Sequence, residues 1–274
     1  MSEELAVDSL EEQSAPPSEQ RDELLDLLMQ KIEEKSATVA ESVRLAAIPF
    51  EFDADILRVL RGANDGLEEK ILERLTTFSF VERRNELYSL SMGMRELLLR
   101  QWQTRRDDFT AANRRLLQFL RGQLQRLQST PPSDQPEEPS SSVKLSLPSS
   151  PPLPSPLSGT AQLQRDRLNL SILYHTLAVD SQAGIDLLES LMDEAETGYQ
   201  LAAAEQLITT AEAQRAYLSP GQQFYLDYQK ARLDQLHCRW QPSRNRFQAI
   251  LDQGDAVPPD LQARSRRDLG RTLT

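Results

Sequence analysis

Cysteine and histidine are scarce in this sequence. Its 274 residues include one cysteine, Cys238, and two histidines, His175 and His237. One cysteine cannot form an internal disulfide, and a structural zinc ion takes about four converging ligands. The sequence therefore predicts no disulfide framework, no metal site and no bound cofactor.

Long apolar segments and a phosphate-binding loop are also missing. No run approaches the roughly 20 apolar residues that span a bilayer, and the first residues, MSEELAVDSLEEQ, are acidic where a signal peptide is basic and then apolar. No GxxxxGK[ST] string that could cradle a nucleotide phosphate occurs. Carboxylate pairs such as Asp107 and Asp108 suit a helix N-terminus and have no identifiable acid or base partner. We therefore expect a cytoplasmic protein that is not an enzyme, does not associate with membranes and has no small-molecule substrate.

Acidic residues are concentrated at the N-terminus. The net charge is −11, and residues 1–35 hold 11 acidic and 3 basic side chains. A short acidic segment that contains serine and proline has little to bury and is typically solvated. The sequence predicts a disordered acidic leader over residues 1–18. An alternative is that this segment screens the arginines between Arg95 and Arg126.

Proline and serine dominate a second segment. Of the 32 residues in 129–160, 9 are proline and 10 are serine. This mixture removes backbone donors, disfavours helix and favours extended polyproline II conformations. Residues 129–160 are therefore predicted to form a disordered linker between two folded regions.

Residues 19–128 carry the periodicity of a mainly helical domain with one β-hairpin. The predicted helices cover about 22–35, 37–48, 53–62, 67–77, 92–102 and 107–127, and the hairpin covers about 80–90. Asp53 is placed to cap the third helix, Gly62 to end it, and Pro49 to end the helix before it. Apolar spacing predicts one buried stripe on the first helix, formed by Leu24, Leu25, Leu28 and Ile32.

The helix at 67–77 has an apolar side and a charged side, and the hairpin after it has a polar tip. The buried face of the helix is predicted to consist of Leu67, Ile71, Leu75 and Phe78. The opposite, exposed face is predicted to consist of Glu68, Glu69, Lys70, Glu73 and Arg74. The hairpin carries a polar tip with two arginines, Arg83 and Arg84.

This order of helices and hairpin resembles the winged-helix segment of bacterial STAND-class signalling NTPases, the group that includes MalT-like regulators. The similarity covers residues 37–127 and rests on the strings AAIPFEFDADILRVL and LERLTTFSFVERRNELYSLSMGMRELLLRQW. In that family the winged helix lies between a nucleotide-binding domain and a sensor of helical repeats, and it transmits the nucleotide state through its packing. The resemblance implies a coupling module, and the missing phosphate loop implies that ATP hydrolysis is not shared.

Residues 161–274 show the pattern of stacked helical hairpins. Helices are predicted at about 161–178, 182–197, 199–217 and 221–238, with breaks at Asp180, Gly198 and Ser219. The later part resembles tetratricopeptide (TPR) repeats, in which the 35 positions from Tyr228 to Ala263 come close to the 34-residue period of that class. Tyr225, Tyr228 and Trp240 are predicted to belong to the core of the repeats.

The last repeat is predicted to lack a cap. A helical solenoid needs a polar end, because an uncapped repeat exposes the apolar face meant for its neighbour. The sequence shows no such cap near Arg271. Either the reading frame is truncated or split, or a partner covers the exposed face.

Two functions compete for the winged helix. A DNA-binding regulator would place the helix at 67–77 in the major groove and direct Arg83 and Arg84 toward phosphates or the minor groove. Three glutamates against one lysine and one arginine on its exposed face would be repelled by DNA. Eight further arginines keep DNA binding open: Arg95, Arg100, Arg105, Arg106, Arg114, Arg115, Arg121 and Arg126.

The sequence therefore favours a non-enzymatic protein-interaction or regulatory module. In this interpretation the winged helix packs as a coupling element and the TPR-like repeats dock a protein partner. A DNA-binding transcriptional regulator is the first alternative, and the regulatory half of a split STAND NTPase is the second.

Overall fold

The computed structural model describes residues 18–63, 65–129 and 159–272, and the predicted mainly α fold class is confirmed for them. The predicted leader and linker lie outside these residues except at their edges. The first unit contains α1 (Ser18–Lys35), α2 (Ala37–Ala46), α3 (Ala54–Arg61), α4 (Glu68–Leu75), β1 (Val81–Arg84), β2 (Leu87–Leu90) and α5 (Met92–Trp102). The second contains α6 (Arg106–Ser129), α7 (Gly159–Val179), α8 (Ser181–Thr197), α9 (Leu201–Glu212), α10 (Pro220–Leu236), α11 (Trp240–Leu251) and α12 (Pro259–Arg271). No helix in the described ranges is long and apolar enough to cross a membrane.

The division into compact units follows Arg105, not the proline-rich segment. The sequence pattern grouped α6 with the helices before it as residues 19–128, whereas α6 packs along α7. Asn113 of α6 is buried with its Oδ1 2.7 Å from Nδ1 of His175 on α7. Phe109 of α6 stacks on Tyr217, with ring centroids 5.8 Å apart. The apolar face of α6 is thus buried within the second unit.

The first unit has a core to which all five of its helices contribute. On α1 the buried residues are Leu25, Met29 and Ile32, and Leu28 is partly buried. Leu24 is 62% exposed, so the predicted stripe is wrong at that position. The spacing of four and three residues from Leu25 describes the buried side better, because Leu24 lies outside that arc of the helix.

An isolated backbone bridge attaches the hairpin to the segment between α2 and α3. In the hairpin Val81 pairs with Leu90 and Arg84 with Leu87. Phe52, fully buried between α2 and α3, bridges Tyr88 through backbone hydrogen bonds of 2.7 and 2.8 Å. The two-stranded hairpin is thus joined by one backbone bridge to the segment before α3.

The predicted cap of α3 offers a local test of the first unit. Asp53 Oδ1 accepts a hydrogen bond of 2.7 Å from the Ile56 amide, and Gly62 ends the helix with φ at 64°, both as predicted.

Asp53→Ala should lower the free energy of unfolding of this unit by about 1 kcal/mol. Urea denaturation followed by Trp102 fluorescence in a Trp240→Phe background measures it. Asp55→Ala, which removes only an exposed pair with Arg58, is the control, and equal losses in both variants would contradict the cap.

The second unit repeats a helical hairpin with a fixed period. The first helices α8, α10 and α12 begin at Ser181, Pro220 and Pro259, each 39 residues after the last. The second helices α9 and α11 begin at Leu201 and Trp240, with the same spacing. The period of 35 residues expected from Tyr228 and Ala263 is therefore wrong. Each repeat includes a three-residue 3₁₀ turn before the next hairpin, at Arg215–Tyr217 and Gly254–Ala256, which the sequence pattern did not reveal.

Hydrogen bonds repeat with the helices. The Nε2 of Gln223 donates to the carbonyl of Leu218 at 3.2 Å, and 39 residues later the Nε2 of Gln262 donates to the carbonyl of Val257 at 3.1 Å. The helix ends match too, because Tyr199 and Cys238 both take the left-handed conformation, with φ at 52° and 56°. The same hydrogen bond and the same left-handed helix end thus occur in two consecutive hairpins.

The last described helix does not present the open apolar face that the sequence suggested. The exposed residues of α12 are polar or small apart from the proline that starts the helix: Pro259, Asp260, Ala263, Arg266, Arg267, Gly270 and Arg271. Its buried Leu261 packs against Tyr228 and Phe247 in the core of the last hairpin. Among the described residues of α12, the expected uncapped apolar surface is not found.

Candidate interaction surfaces

The charge on the exposed face of α4 differs from the sequence prediction. Glu68, predicted to be exposed, is only 8% exposed. Its Oε1 lies 3.2 Å from Nη1 of Arg61 on α3, and Nη2 of the same guanidinium lies 2.6 Å from Asp65 Oδ2. Leu67, predicted to be buried, is exposed. Ile71 and Leu75 are buried as predicted, and Glu68 lies on the same side of the helix, where it faces Arg61 of α3.

The remaining exposed charges of α4 balance. Glu69 and Glu73 lie with Lys70 and Arg74 on the solvent side. The predicted excess of negative charge on this face is therefore wrong by one glutamate. Repulsion of a phosphate backbone is correspondingly weaker than the sequence suggested, but no net positive charge replaces it.

The arginines of the hairpin tip make local contacts. Arg83 Nε donates a 3.1 Å hydrogen bond to the carbonyl of Asn85. Arg84 Nη2 lies 3.2 Å from Glu82 Oε2, and both side chains are exposed. The residues named for the DNA-binding alternative therefore stand at the surface, with one of the two paired to a carboxylate.

The arginines of α5 and the turn after it hold the first unit together. Arg95 donates to the carbonyls of Ile48 and Pro49, which follow α2. Arg100 Nη1 lies 3.6 Å from Asp22 on α1. Arg105 Nη1 lies 3.4 Å from Glu41 on α2. These side chains are better explained as internal links than as a nucleic-acid surface.

The first helices of the hairpins share one charged face, which we call the first-helix face. On α8 four carboxylates follow helical spacing: Asp186, Glu189, Asp193 and Glu196. Arg264 of α12 lies 3.0 Å from Glu189, and Arg232 of α10 lies 2.8 Å from Asp193 and also contacts Glu196. The acidic stripe of α8 is thus tied to both following first helices.

Two tyrosines of α10 tie the same face to α12. The Tyr225 hydroxyl donates to Asp260 at 2.8 Å, and the buried Tyr228 hydroxyl donates to Asp268 at 2.7 Å. Burial, and then the hydrogen bond to an aspartate, raises the pKa of each tyrosine from 10 to about 12. Both phenols are therefore held protonated as donors.

This pKa shift predicts a loss of stability in strong alkali. The folded pKa of Tyr225 and Tyr228 lies above the unfolded value, so their contribution is complete below pH 10 and is lost as the pH rises from 10 to about 12. Tyrosinate absorbance should show a late phase from Tyr225 and Tyr228. In a Tyr225→Phe, Tyr228→Phe variant the late phase should vanish. Absence of this late phase in the folded wild-type protein would contradict these contacts.

His175 lies on α7, whereas His237 and Cys238 follow one another at the end of α10. His175 is buried against Asn113, and Cys238 is exposed at the end of α10. His237 Nε2 lies 3.0 Å from Glu205 Oε1 on α9. Within the described ranges, no group of three or more histidine, cysteine, aspartate or glutamate side chains converges.

A second surface lies where the first helices turn into the second helices, and we call it the turn edge. It consists of Tyr199, Leu201, Cys238, Arg239 and Trp240. Trp240 is 52% exposed, so its assignment to the repeat core is wrong, whereas Tyr228 is buried and Tyr225 half-buried. Trp240 begins α11 two residues after the left-handed Cys238, and its side chain is half-exposed there. A tryptophan placed directly after a helix break was the one sequence signal for this surface.

Both surfaces belong to the repeats of the second unit. The first-helix face offers fixed charges, and the turn edge offers exposed aromatic and aliphatic groups. Comparison of the chain with protein-family models, with curated proteins and with solved structures found no match.

Proposed function

We propose that this chain is a non-enzymatic protein-interaction module. Its TPR-like hairpins dock a protein partner, and its first unit is a winged helix that packs as a coupling element. The observation that carries the proposal is the side-by-side packing of α8, α10 and α12, which repeats every 39 residues. Stacked hairpins of this kind build the extended surfaces that solenoid proteins use for binding.

The charge pattern of the first-helix face supports a protein partner. The sequence of α8 holds five acidic and no basic residues, whereas α12 holds four arginines and two aspartates. A surface that changes sign over three helices can orient a partner of complementary charge. The cross-helix ion pairs keep these side chains in fixed positions, which lowers the entropy lost on binding.

The winged-helix assignment is supported by the first unit itself. The hairpin follows α2, α3 and α4, and Phe52 forms an isolated backbone bridge to Tyr88. DNA binding remains the second candidate because the burial of Glu68 removes part of the electrostatic objection. The balanced exposed charges of α4, and the pairing of Arg84 with Glu82, still favour the coupling role over DNA.

A matched pair of charge reversals tests the docking proposal. Asp186 of α8 and Asp252, just after α11, are both exposed, and each accepts a hydrogen bond from a glutamine four residues earlier. Only Asp186 belongs to the first-helix face. In cross-linking capture from the source organism, measured by quantitative mass spectrometry, Asp186→Lys should reduce recovery of the specific partner about tenfold. Asp252→Lys should retain it, and equal recovery by both variants would contradict the proposal.

A further inference from the structure

A groove runs along one side of α6, and we call it the α6 groove. Its lining includes Arg114, Leu117, Arg121, Leu124 and Gln128 of α6, with Val179 at the end of α7. Between residues 114 and 128 the helix rises by about 21 Å, which is about four turns. A surface of this length suits a segment of polypeptide chain better than a single side chain.

The α6 groove is apolar along its floor. Leu117 is buried, whereas Leu124 and Val179 are half-buried and keep part of their apolar surface in solvent. Leu117 and Leu124 are seven residues apart, so they lie on the same side of the helix. Because all three side chains line one cavity, they offer a continuous apolar contact to a ligand.

The two arginines of the groove have no partner among the described residues. Arg114 and Arg121 are exposed, and neither makes a hydrogen bond or an ion pair there. Most arginines of the hairpins that follow are paired with carboxylates: Arg215, Arg232, Arg239, Arg246, Arg264 and Arg267. A guanidinium group with its donors unoccupied can bind both oxygens of a carboxylate. Arg114 and Arg121 are therefore available to a ligand.

No described carboxylate lines the groove to cancel this positive charge. The sequence of α6 holds five arginines and two aspartates, and both aspartates, Asp107 and Asp108, lie in its first turn. The one carboxylate of α7, Asp166, lines a different cavity between α7, α8 and α9. Asp180, which follows α7, caps α8 by accepting a hydrogen bond from the Ala183 amide at 3.0 Å. The α6 groove thus presents apolar area and positive charge together.

We propose that the α6 groove binds an acidic, amphipathic helical segment of a partner protein. Apolar side chains of that segment would pack on Leu117, Leu124 and Val179, and its carboxylates would bind Arg114 and Arg121. The groove is a second binding surface, on helices other than those of the first-helix face. A nucleic acid fits less well, because its phosphates would leave the apolar floor without a partner.

Three synthetic peptides test the assignment with the full chain. The first is a fluorescently labelled helix-forming peptide of about four turns, with leucines on one face and glutamates beside them. In the second, lysines replace the glutamates, and in the third, serines replace the leucines. Anisotropy should show binding of the first, and each of the other two should bind at least about tenfold more weakly. Hydrogen exchange of residues 114–128 should slow only with the first peptide.

Two double charge reversals separate binding from folding. With Arg114→Glu, Arg121→Glu the glutamate peptide should bind at least about tenfold more weakly, and the lysine peptide should now bind, which unfolding could not produce. Arg244→Glu, Arg266→Glu makes the same change in net charge at two exposed arginines outside the groove, and should bind like the wild type. The inference is overturned if the lysine peptide binds the wild type as well as the glutamate peptide, or if both double variants bind the glutamate peptide equally.

Other occupants would overturn it in recognisable ways. Displacement of the glutamate peptide by a DNA duplex at lower concentration would assign the groove to nucleic acid. Tighter binding of a synthetic peptide of residues 1–17 would assign it to the chain's own acidic segment. Self-association of the chain that Arg114→Glu, Arg121→Glu abolishes would assign it to a second copy. If the glutamate peptide fails to bind but Asp186→Lys still loses its captured partner, this inference fails and the proposed function stands.

Discussion

Replacing Phe247 by alanine is expected to destabilise the second unit by about 3–5 kcal/mol. Phe247 is fully buried between α10, α11 and α12, where it packs with Ile250, Val257 and Leu261. Its ring centroid lies 5.7 Å from that of Tyr228. Truncation would leave a cavity that the fixed helices around it cannot close, which explains the size of the loss.

The other large aromatic side chain of α11 provides the matched control. Trp240 is half-exposed, and Trp240→Ala should change the free energy of unfolding by less than about 0.5 kcal/mol. Hydrogen exchange followed by mass spectrometry measures the free energy of unfolding of α11 separately from that of the first unit. Similar losses in both variants would mean that Trp240 belongs to the core, as the sequence pattern predicted, and that the turn edge does not exist as described.

Gly184→Ala should also be strongly destabilising, by about 2 kcal/mol. A Cβ at this position would lie 2.5 Å from Cδ2 and 2.8 Å from Cα of Leu177 on α7. The second of these atoms belongs to the backbone, so no change of rotamer relieves the clash. In a helix without such a contact, the same substitution would stabilise the protein by about 0.5–1 kcal/mol.

Gly221→Ala tests that reasoning in the next repeat. Gly221 lies in the first turn of α10, and a Cβ there would have no atom within 4 Å. Thermal unfolding followed by circular dichroism should show a lower Tm for Gly184→Ala and an equal or higher Tm for Gly221→Ala. A Gly184→Ala protein as stable as the wild type would mean that α7 and α8 are farther apart than the structure shows.

Features that depend on neighbouring residues in the chain were predictable from the sequence. The cap by Asp53 and the left-handed end at Gly62 follow from side chains that act within one helical turn. The breaks near Asp180 and Ser219 were predictable for the same reason, since both cap the helix that follows. Such signals need no knowledge of what the helix packs against.

Features that depend on distant residues were not predictable. The burial of Glu68 requires Arg61 of another helix, and the place of α6 depends on α7, which lies beyond the proline-rich segment. The 39-residue period was hidden for a different reason. Its turns use Tyr199 and Cys238 in a conformation that glycine normally marks, so the sequence lacks the usual signal.

The candidate surfaces were only partly visible in the sequence. Arg83 and Arg84 were correctly placed at an exposed hairpin tip, but their local bonds were not foreseen. The acidic spacing along α8 can be read directly, whereas its pairing with Arg232 and Arg264 needs the packing of three helices. Charge patterns thus indicate a face, and only tertiary structure shows which of its charges are already neutralised.

Equilibrium binding of the full chain to duplex DNA at two salt concentrations tests the central claim most directly. The coupling and docking account predicts dissociation constants no tighter than about 10⁻⁶ M, unchanged by an Arg83→Ala, Arg84→Ala variant. Binding tighter than about 10⁻⁸ M that weakens steeply with salt, and that this variant loses, would contradict it and identify the first unit as a DNA reader.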